Sequence, residues 1–334
     1  MSITEGNRVR TRAGLSRNRW LQLALGVIAM VMIGNLQYGW TLFVDPIHQK
    51  FLWGRASIQV AFTLFVLFET WLVPLQAYFV DRFGPRQVAG TCALLVGAAW
   101  CINSFADSLP LLYLGAILGG VGAGGVYATA MGNALKWFKD RRGLAADLTA
   151  AGFGAGSALT VAPIATMIEA KGYEAAFLYF GIGQGLVVLI AAQFIREPGP
   201  GEVSSLPQVA QEERSMHDYR PLETLKTPLF WVLYAMMTMV ATGGLMAGAQ
   251  LGPIAKDFGV DNHVVTLGWI IMAALPFALS FGLILNGISR PFWGWTSDHI
   301  GREKTMTIVF SLEAVALVLL ITTASNPVMV ILFS

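Results

Sequence analysis

Arg290 stands in "LNGISRPFWGW", within a stretch that is otherwise apolar for more than twenty residues. A guanidinium does not deprotonate in a protein, and its planar fork matches a carboxylate bidentately. One chemistry open to Arg290 is therefore the capture of an organic anion. The other is a structural ion pair with an acid such as Glu313 or Glu69. Eight residues on, Asp298 opens the polar turn "TSDHIGREK". A helix of that length rises about 12 Å, which sets Arg290 near the middle of a bilayer. A charge there costs roughly 2.5–3.5 kcal/mol on insertion scales, so it needs a reason.

Other polar residues interrupt apolar runs. "NLQYGW" offers Asn35, Gln37, Tyr38 and Trp40, which either hydrogen-bond between helices or touch a polar substrate. "GGVGAGGVYATAMGN" carries Tyr127 among glycines whose ordinary use is close helix packing. Glu69 in "LFETWLVP" can face a polar helix interface, pair with Arg290, or hold a proton and couple it to transport. Glu313 reads as structural. The same search excludes much. No nucleophile–base set appears, so an enzyme is not expected. His48, His217, His263 and His299 fall in expected loops without ligand spacing, and no metal or cofactor is called for. Cys92 and Cys101 lie nine residues apart on one expected helix, about 13 Å of rise and too far for a disulfide. The glycines follow no strand, so a nucleotide loop is excluded. No repeated carbonyl filter speaks for a channel, and nothing resembles a signalling domain.

The elements that must carry these residues are membrane helices. Of 334 residues, 55% are hydrophobic and 13% charged, and the mean hydropathy is +0.60. A soluble domain carries roughly 25% charge. The first apolar run, from Trp20 to Val44, is longer than the roughly 7–15 residues of a signal-peptide core, so it reads as an uncleaved membrane helix. Apolar runs predict helices at 20–44, 57–80, 87–106, 110–135, 143–168, 174–195, 228–252, 264–296 and 305–324, with "PVMVILFS" opening a tenth. With the N-terminus inside, 17 of the 22 basic residues fall on the cytoplasmic side. Lys50, Arg55, Lys171 and Lys256 fall opposite, and Arg290 alone falls within the membrane. That bias sets the orientation. The expected organisation is a cytoplasmic tail (1–19), a six-helix bundle (20–195), a polar cytoplasmic linker (196–227) and a partial second bundle (228–334).

The two halves echo each other. Helix 2 ends in "AYFVDRFGPRQ", with Asp81, Arg82, Gly84 and Arg86; helix 8 ends in "GWTSDHIGREK", with Asp298, Gly301 and Arg302. In such a turn the acid can cap the next helix or pair with a nearby arginine, and the glycine permits the reversal. A six-helix repeat is the architecture of many secondary transporters. By repeat logic the complete protein is expected to run to roughly 410–440 residues, the present chain stopping about three helices short.

These turns resemble G-x-x-x-D-[RK]-x-G-R-[RK], the loop signature of the major facilitator superfamily. "GWTSDHIGRE" lacks the basic residue after Asp298; "AYFVDRFGPR" has Ala77 for the first glycine and Pro85 before Arg86. A nearer resemblance, to the oxalate:formate antiporter branch, is carried by "LQYGWTLFVDPI" (36–47), "AFTLF" (61–65), "YFVDRFGPR" (78–86), "KWFKDRRGLAADLTAAGFGAG" (136–156), "LKTPLFWVLY" (225–234) and "LNGISRPFWGWTSDHIGREKTM" (285–306). The resemblance implies an all-α polytopic membrane protein with two pseudo-symmetric six-helix halves, here about nine helices and the start of a tenth. It implies that Asp81, Arg82, Gly84, Arg86, Asp298, Gly301 and Arg302 gate the cytoplasmic side. Arg290 matches the arginine that binds the carboxylate, and Gln37, Tyr38 and Tyr127 match residues lining the cavity. Phe153 stands where the resembled carrier has a tyrosine, so one hydroxyl is lost. Glu69 is a departure, since that carrier has an uncharged residue there. The branch's second cation, a lysine in the eleventh helix, falls beyond the chain. The expectation is a monomeric carrier of small carboxylates in the inner (plasma) membrane, with the lipid bilayer and no nucleic acid as partner. It works as an exchanger, or alternatively as a proton-coupled monocarboxylate carrier with Glu69 as the titrating group.

Overall fold

A computed structural model describes residues 18–199, 202, 221–257, 264–267 and 270–323. The tail before residue 18, most of the linker and the expected tenth helix lie outside the described residues. Contacts divide the chain into two units. The first is Met1–Ser205 with Arg290–Trp295, and the second is Leu206–Ser289 with Thr296–Ser334.

The first unit is a helical bundle. Its elements are α1 (Arg19–Tyr38), α2 (Thr41–Phe51), α3 (Arg55–Trp71), α4 (Val73–Phe83), α5 (Pro85–Ser104), α6 (Leu109–Trp137), α7 (Arg142–Lys171) and α8 (Tyr173–Phe194). Helix α1 begins because the Asn18 side chain accepts a hydrogen bond from the Trp20 amide at 3.0 Å. Helices α5 to α8 start and stop within three residues of the expected spans. The first two expected helices do not run through. The 20–44 run ends at Tyr38, and the chain resumes as α2 after Gly39 and Trp40. The 57–80 run bends by 49° between Trp71 and Val73. Pro74 opens α4, and a proline there has no amide for the helix ladder and crowds the carbonyl one turn back. Among the described residues five helices are long and apolar enough to cross a membrane alone, and a sixth span arises if α3 and α4 are counted together.

Packing follows small residues. Helix α1 lies along α7, α3 along α6, and α5 between α6 and α8. A methyl group at Gly34 would strike the Phe153 carbonyl oxygen, and one at Gly120 the Phe65 carbonyl oxygen. Backbones approach this closely only where no Cβ intervenes. Phe43 stacks on Phe177 at 3.9 Å, and Trp100 meets both edge-on at 5.5 and 5.3 Å. At one end of the bundle Gln22, which is buried, donates to the Phe194 carbonyl at 2.9 Å. Its oxygen accepts from the Arg196 amide at 3.0 Å and from Asn133 at 3.3 Å.

The second unit contains α9 (Pro221–Thr224), α10 (Pro228–Asp257), strands β1 (Val264–Leu267) and β2 (Ile270–Ala273), α11 (Ala274–Ile300) and α12 (Arg302–Thr323). Residues 290–295 of α11 group with the first unit. The helix expected from residue 264 starts only at Ala274. The ten residues before it hold an antiparallel pair with Val264 opposite Ala273 and Leu267 opposite Ile270. Val264, Val265, Thr266, Ile270 and Ile271 are β-branched and favour extended backbone, which a count of apolar residues does not register. Gly243 of α10 lies 3.7 Å, measured from where a Cβ would stand, from the Glu313 carboxyl of α12.

Candidate functional site

Three aromatic rings from three helices meet in the first unit. Phe153 on α7 receives Tyr38 of α1 at 5.7 Å and Tyr127 of α6 at 6.1 Å, both edge-to-face. The contact at Gly34 sets this wall. It brings α1 onto the Phe153 backbone, and Tyr38 follows one turn later. Tyr38 is 48% exposed, while Gln37, Tyr127 and Phe153 are half-buried. Helix α1 stops at Tyr38, so Gln37 and Tyr38 occupy a helix end rather than a helix middle. Helices interrupted at polar residues are a recurring way of presenting backbone and side chains to a substrate within a membrane.

Arg290 packs with this unit. A methyl group at Gly294, one turn further along α11, would strike the Asp147 carboxylate and stand 2.6 Å from the Gly143 carbonyl oxygen. Residues four apart share a helix face, so Arg290 is on the face turned to α7. It is exposed, and its charge reaches the Tyr127 hydroxyl, as do those of Glu69 and Asp147 and the Tyr38 phenol. Of the expected substrate residues, Tyr38, Tyr127 and Phe153 meet, Gln37 precedes Tyr38 in the chain, and Arg290 lies one turn from the contact of α11 with α7. Glu69 is only 6% exposed, and its Oε1 has no hydrogen-bond partner among the described residues.

The residues of the first turn lie at one end of the first unit's bundle. Gly84 has φ +85° and Gly301 φ +92°, so both copies of the turn use backbone that glycine adopts without strain. Asp81 does not cap α5, whose first residue follows Gly84 with no side-chain cap. It accepts instead from Lys136 at 2.8 Å, and Lys136 also reaches Glu197 at 2.8 Å. Arg82 donates to the Tyr78 hydroxyl at 3.0 Å and Arg86 to Gln193 at 2.7 Å. Asp298 and Arg302 are exposed on either side of Gly301. Charge pairs at the opposite end of the bundle join Lys50 to Glu174 and Arg55 to Asp45.

Residues that the sequence reading passed over also belong here. Asp147 lies one turn into α7 in an apolar span, a signal of the same kind as Glu69. Gln76 of α4 is 5% exposed; its nitrogen donates to the Val121 carbonyl at 2.9 Å, and its oxygen has no partner among the described residues. Among those residues no group of three His, Cys, Asp or Glu side chains could hold a metal ion.

A bundle of apolar helices, two of them interrupted beside polar side chains, with an arginine held against it, defines a multi-pass membrane protein. The Major Facilitator Superfamily pattern matches residues 23–333, and the chain belongs to that family, whose members are transporters rather than enzymes. The chain is 38% identical over 312 residues to the oxalate:formate antiporter of Oxalobacter formigenes, covering 93% of this chain and 71% of that protein. It is 26% identical over 312 residues to the uncharacterized MFS-type transporter YhjX of Escherichia coli K12, covering 92% and 74%. Monocarboxylate transporter 11 of Homo sapiens is 27% identical over 200 residues, or 58% of this chain and 40% of that one. Among solved structures, the POT family transporter PepTSo aligns with a TM-score of 0.45 at 14% identity, covering 91% of this chain; the chain spans 61% of that structure's length.

Proposed function

We propose that the protein is a secondary active carrier of small organic anions that exchanges carboxylates of the oxalate:formate type by alternating access. The observation that carries this reading is Arg290 placed one turn from the α7 contact, with its charge reaching Tyr127 in the aromatic wall. A guanidinium binds a carboxylate bidentately, phenols orient it, and Gln37 supplies an amide. The identity to an oxalate:formate antiporter supports the substrate class. In this reading the N-terminus is cytoplasmic, residues 20–195 and those from 228 onward form the two rocking bundles, and the protein works as a monomer. The turns around Asp81, Arg82, Gly84 and Arg86 and around Asp298, Gly301 and Arg302 open and close the cytoplasmic side.

Proteoliposomes loaded with formate test this. The wild type should take up radiolabelled oxalate, and Arg290→Gln should lose that uptake. Undiminished uptake by Arg290→Gln would overturn the role of Arg290. A second reading, proton-coupled uptake of a monocarboxylate with Glu69 titrating, is favoured by the buried Glu69, whose Oε1 has no hydrogen-bond partner among the described residues, and by the similarity to a monocarboxylate transporter. It predicts uptake driven by a pH gradient alone.

A further inference from the structure

Helix α1 stops at Tyr38, and its break leaves a backbone acceptor without a donor. The Gly39 amide turns back to the Asn35 carbonyl at 2.8 Å. The Leu42 amide bonds the Gly39 carbonyl at 3.1 Å, and the Phe43 amide the Trp40 carbonyl at 3.0 Å. In a continuous helix the Leu36 carbonyl would accept from the Trp40 amide. Here it accepts no backbone amide among the described residues. Leu36 is only 3% exposed, so bulk water does not make up the loss.

A second orphan acceptor is on α5. Asn103, in the last turn of that helix, is also 3% exposed, and its Oδ1 has no hydrogen-bond partner among the described residues. That oxygen lies against Gly115 of α6, where a Cβ would strike it. Leu36, Asn103 and Gly115 line one cavity, together with Trp40, Phe65 and Trp100. All six are buried. The Trp40 indole N–H cannot serve either acceptor, because it donates to Gln59 Oε1 at 3.0 Å. The cavity's volume is about 10 Å³, room for one water molecule. In so small a space, every residue of the lining is a neighbour of what it holds.

We propose that this cavity is a binding site for one internal water molecule, which donates one hydrogen to Asn103 Oδ1 and the other to the Leu36 carbonyl. Two buried acceptors call for two donors, and water is the smallest molecule that brings both. The water makes the hydrogen bond that the Trp40 amide would make in an unbroken helix. It thereby ties the end of α1 to α5 and holds the segment that carries Gln37 and Tyr38. The site owes nothing to the identity of the transported anion.

The test uses the full chain in lipid nanodiscs, equilibrated in water enriched in heavy oxygen and exposed to an X-ray pulse. Radiolysis of a bound water releases a hydroxyl radical in place, and the radical oxidises the side chain beside it. Trp100, 4% exposed, should take up the heavy oxygen, whereas Trp137, 1% exposed and outside this lining, should take up none. Asn103→Leu puts an apolar group of similar volume in place of the amide. It should abolish the Trp100 label and leave that of the exposed Trp20 unchanged. Should that variant fail to fold, a high-resolution density map of the wild type decides. It should show one water peak within hydrogen-bond distance of both Asn103 Oδ1 and the Leu36 carbonyl. An unlabelled Trp100 in the wild type, a Trp100 label that survives Asn103→Leu, or a map without a peak reaching both oxygens would overturn the site.

Discussion

Replacing Gly34 by alanine perturbs the site through a single methyl group. That methyl would fall inside the 3.0 Å limit that Cβ atoms respect, against the Phe153 carbonyl oxygen. The struck atom is backbone, so no side chain can rotate away, and α1 and α7 must part by about 1 Å at a contact that sets the aromatic wall. Overpacking of this kind costs about 1–3 kcal/mol, partly offset by about 0.5–1 kcal/mol from replacing a helical glycine. The net loss of about 1–2 kcal/mol should lower the melting temperature by about 1.5–3 °C. Tyr38 follows Gly34 by four residues, and Phe153 is the residue displaced. A misplacement of about 1 Å at a positioned group costs up to about a hundredfold, so apparent oxalate affinity should fall by about tenfold or more. The assay is thermal unfolding in detergent together with oxalate uptake into formate-loaded proteoliposomes. Gly183→Ala is the control: no atom lies within 4 Å of its added Cβ, and it should match or slightly exceed the wild type in stability. A Gly34→Ala variant that melts and transports like the wild type would refute the packing argument.

Arg290→Lys keeps the charge and loses the planar fork, so oxalate affinity should drop by about tenfold, less than for Arg290→Gln, as read from the concentration dependence of uptake. Phe153→Tyr returns a hydroxyl between Tyr38 and Tyr127 and should raise apparent oxalate affinity several-fold if that hydroxyl reaches the anion; competition against labelled oxalate measures it. Gln22→Leu leaves the Phe194 carbonyl and the Arg196 amide without their buried partner and should cost about 2–4 kcal/mol, visible as an early melting transition with substrate affinity unchanged. Lys136→Met breaks two solvent-exposed pairs, to Asp81 and Glu197, and should change stability by no more than about 1 kcal/mol, a difference that shrinks further in high salt.

What the sequence determined by itself was the solvent. A mean hydropathy of +0.60 with 13% charged residues admits a membrane protein, and runs of about 20 apolar residues place α5 to α8 within three residues, because a bilayer imposes one helix length. The two turns were legible for a local reason: Gly84 and Gly301 need positive φ, and few residues adopt it. Arg290 stood out because a charge in lipid is costly wherever it points. Tertiary structure decided what lies in three dimensions. Hydropathy ran through Gly39 and Leu72, yet the first two helices break there, since apolarity measures composition and a break depends on Pro74 and local hydrogen bonds. It also ran through Val264–Leu267 and Ile270–Ala273, whose β-branched residues favour extended backbone that pairs as two strands. Asp81 looked like a helix cap and turned out to bind Lys136, 55 residues away, because no local spacing encodes such a partner. The meeting of Tyr38, Phe153 and Tyr127, and the burial of Glu69 and of Gln76, depend on which helices touch. That is set by where a missing Cβ lets two backbones close, a property of pairs of helices that a single strand of sequence does not carry.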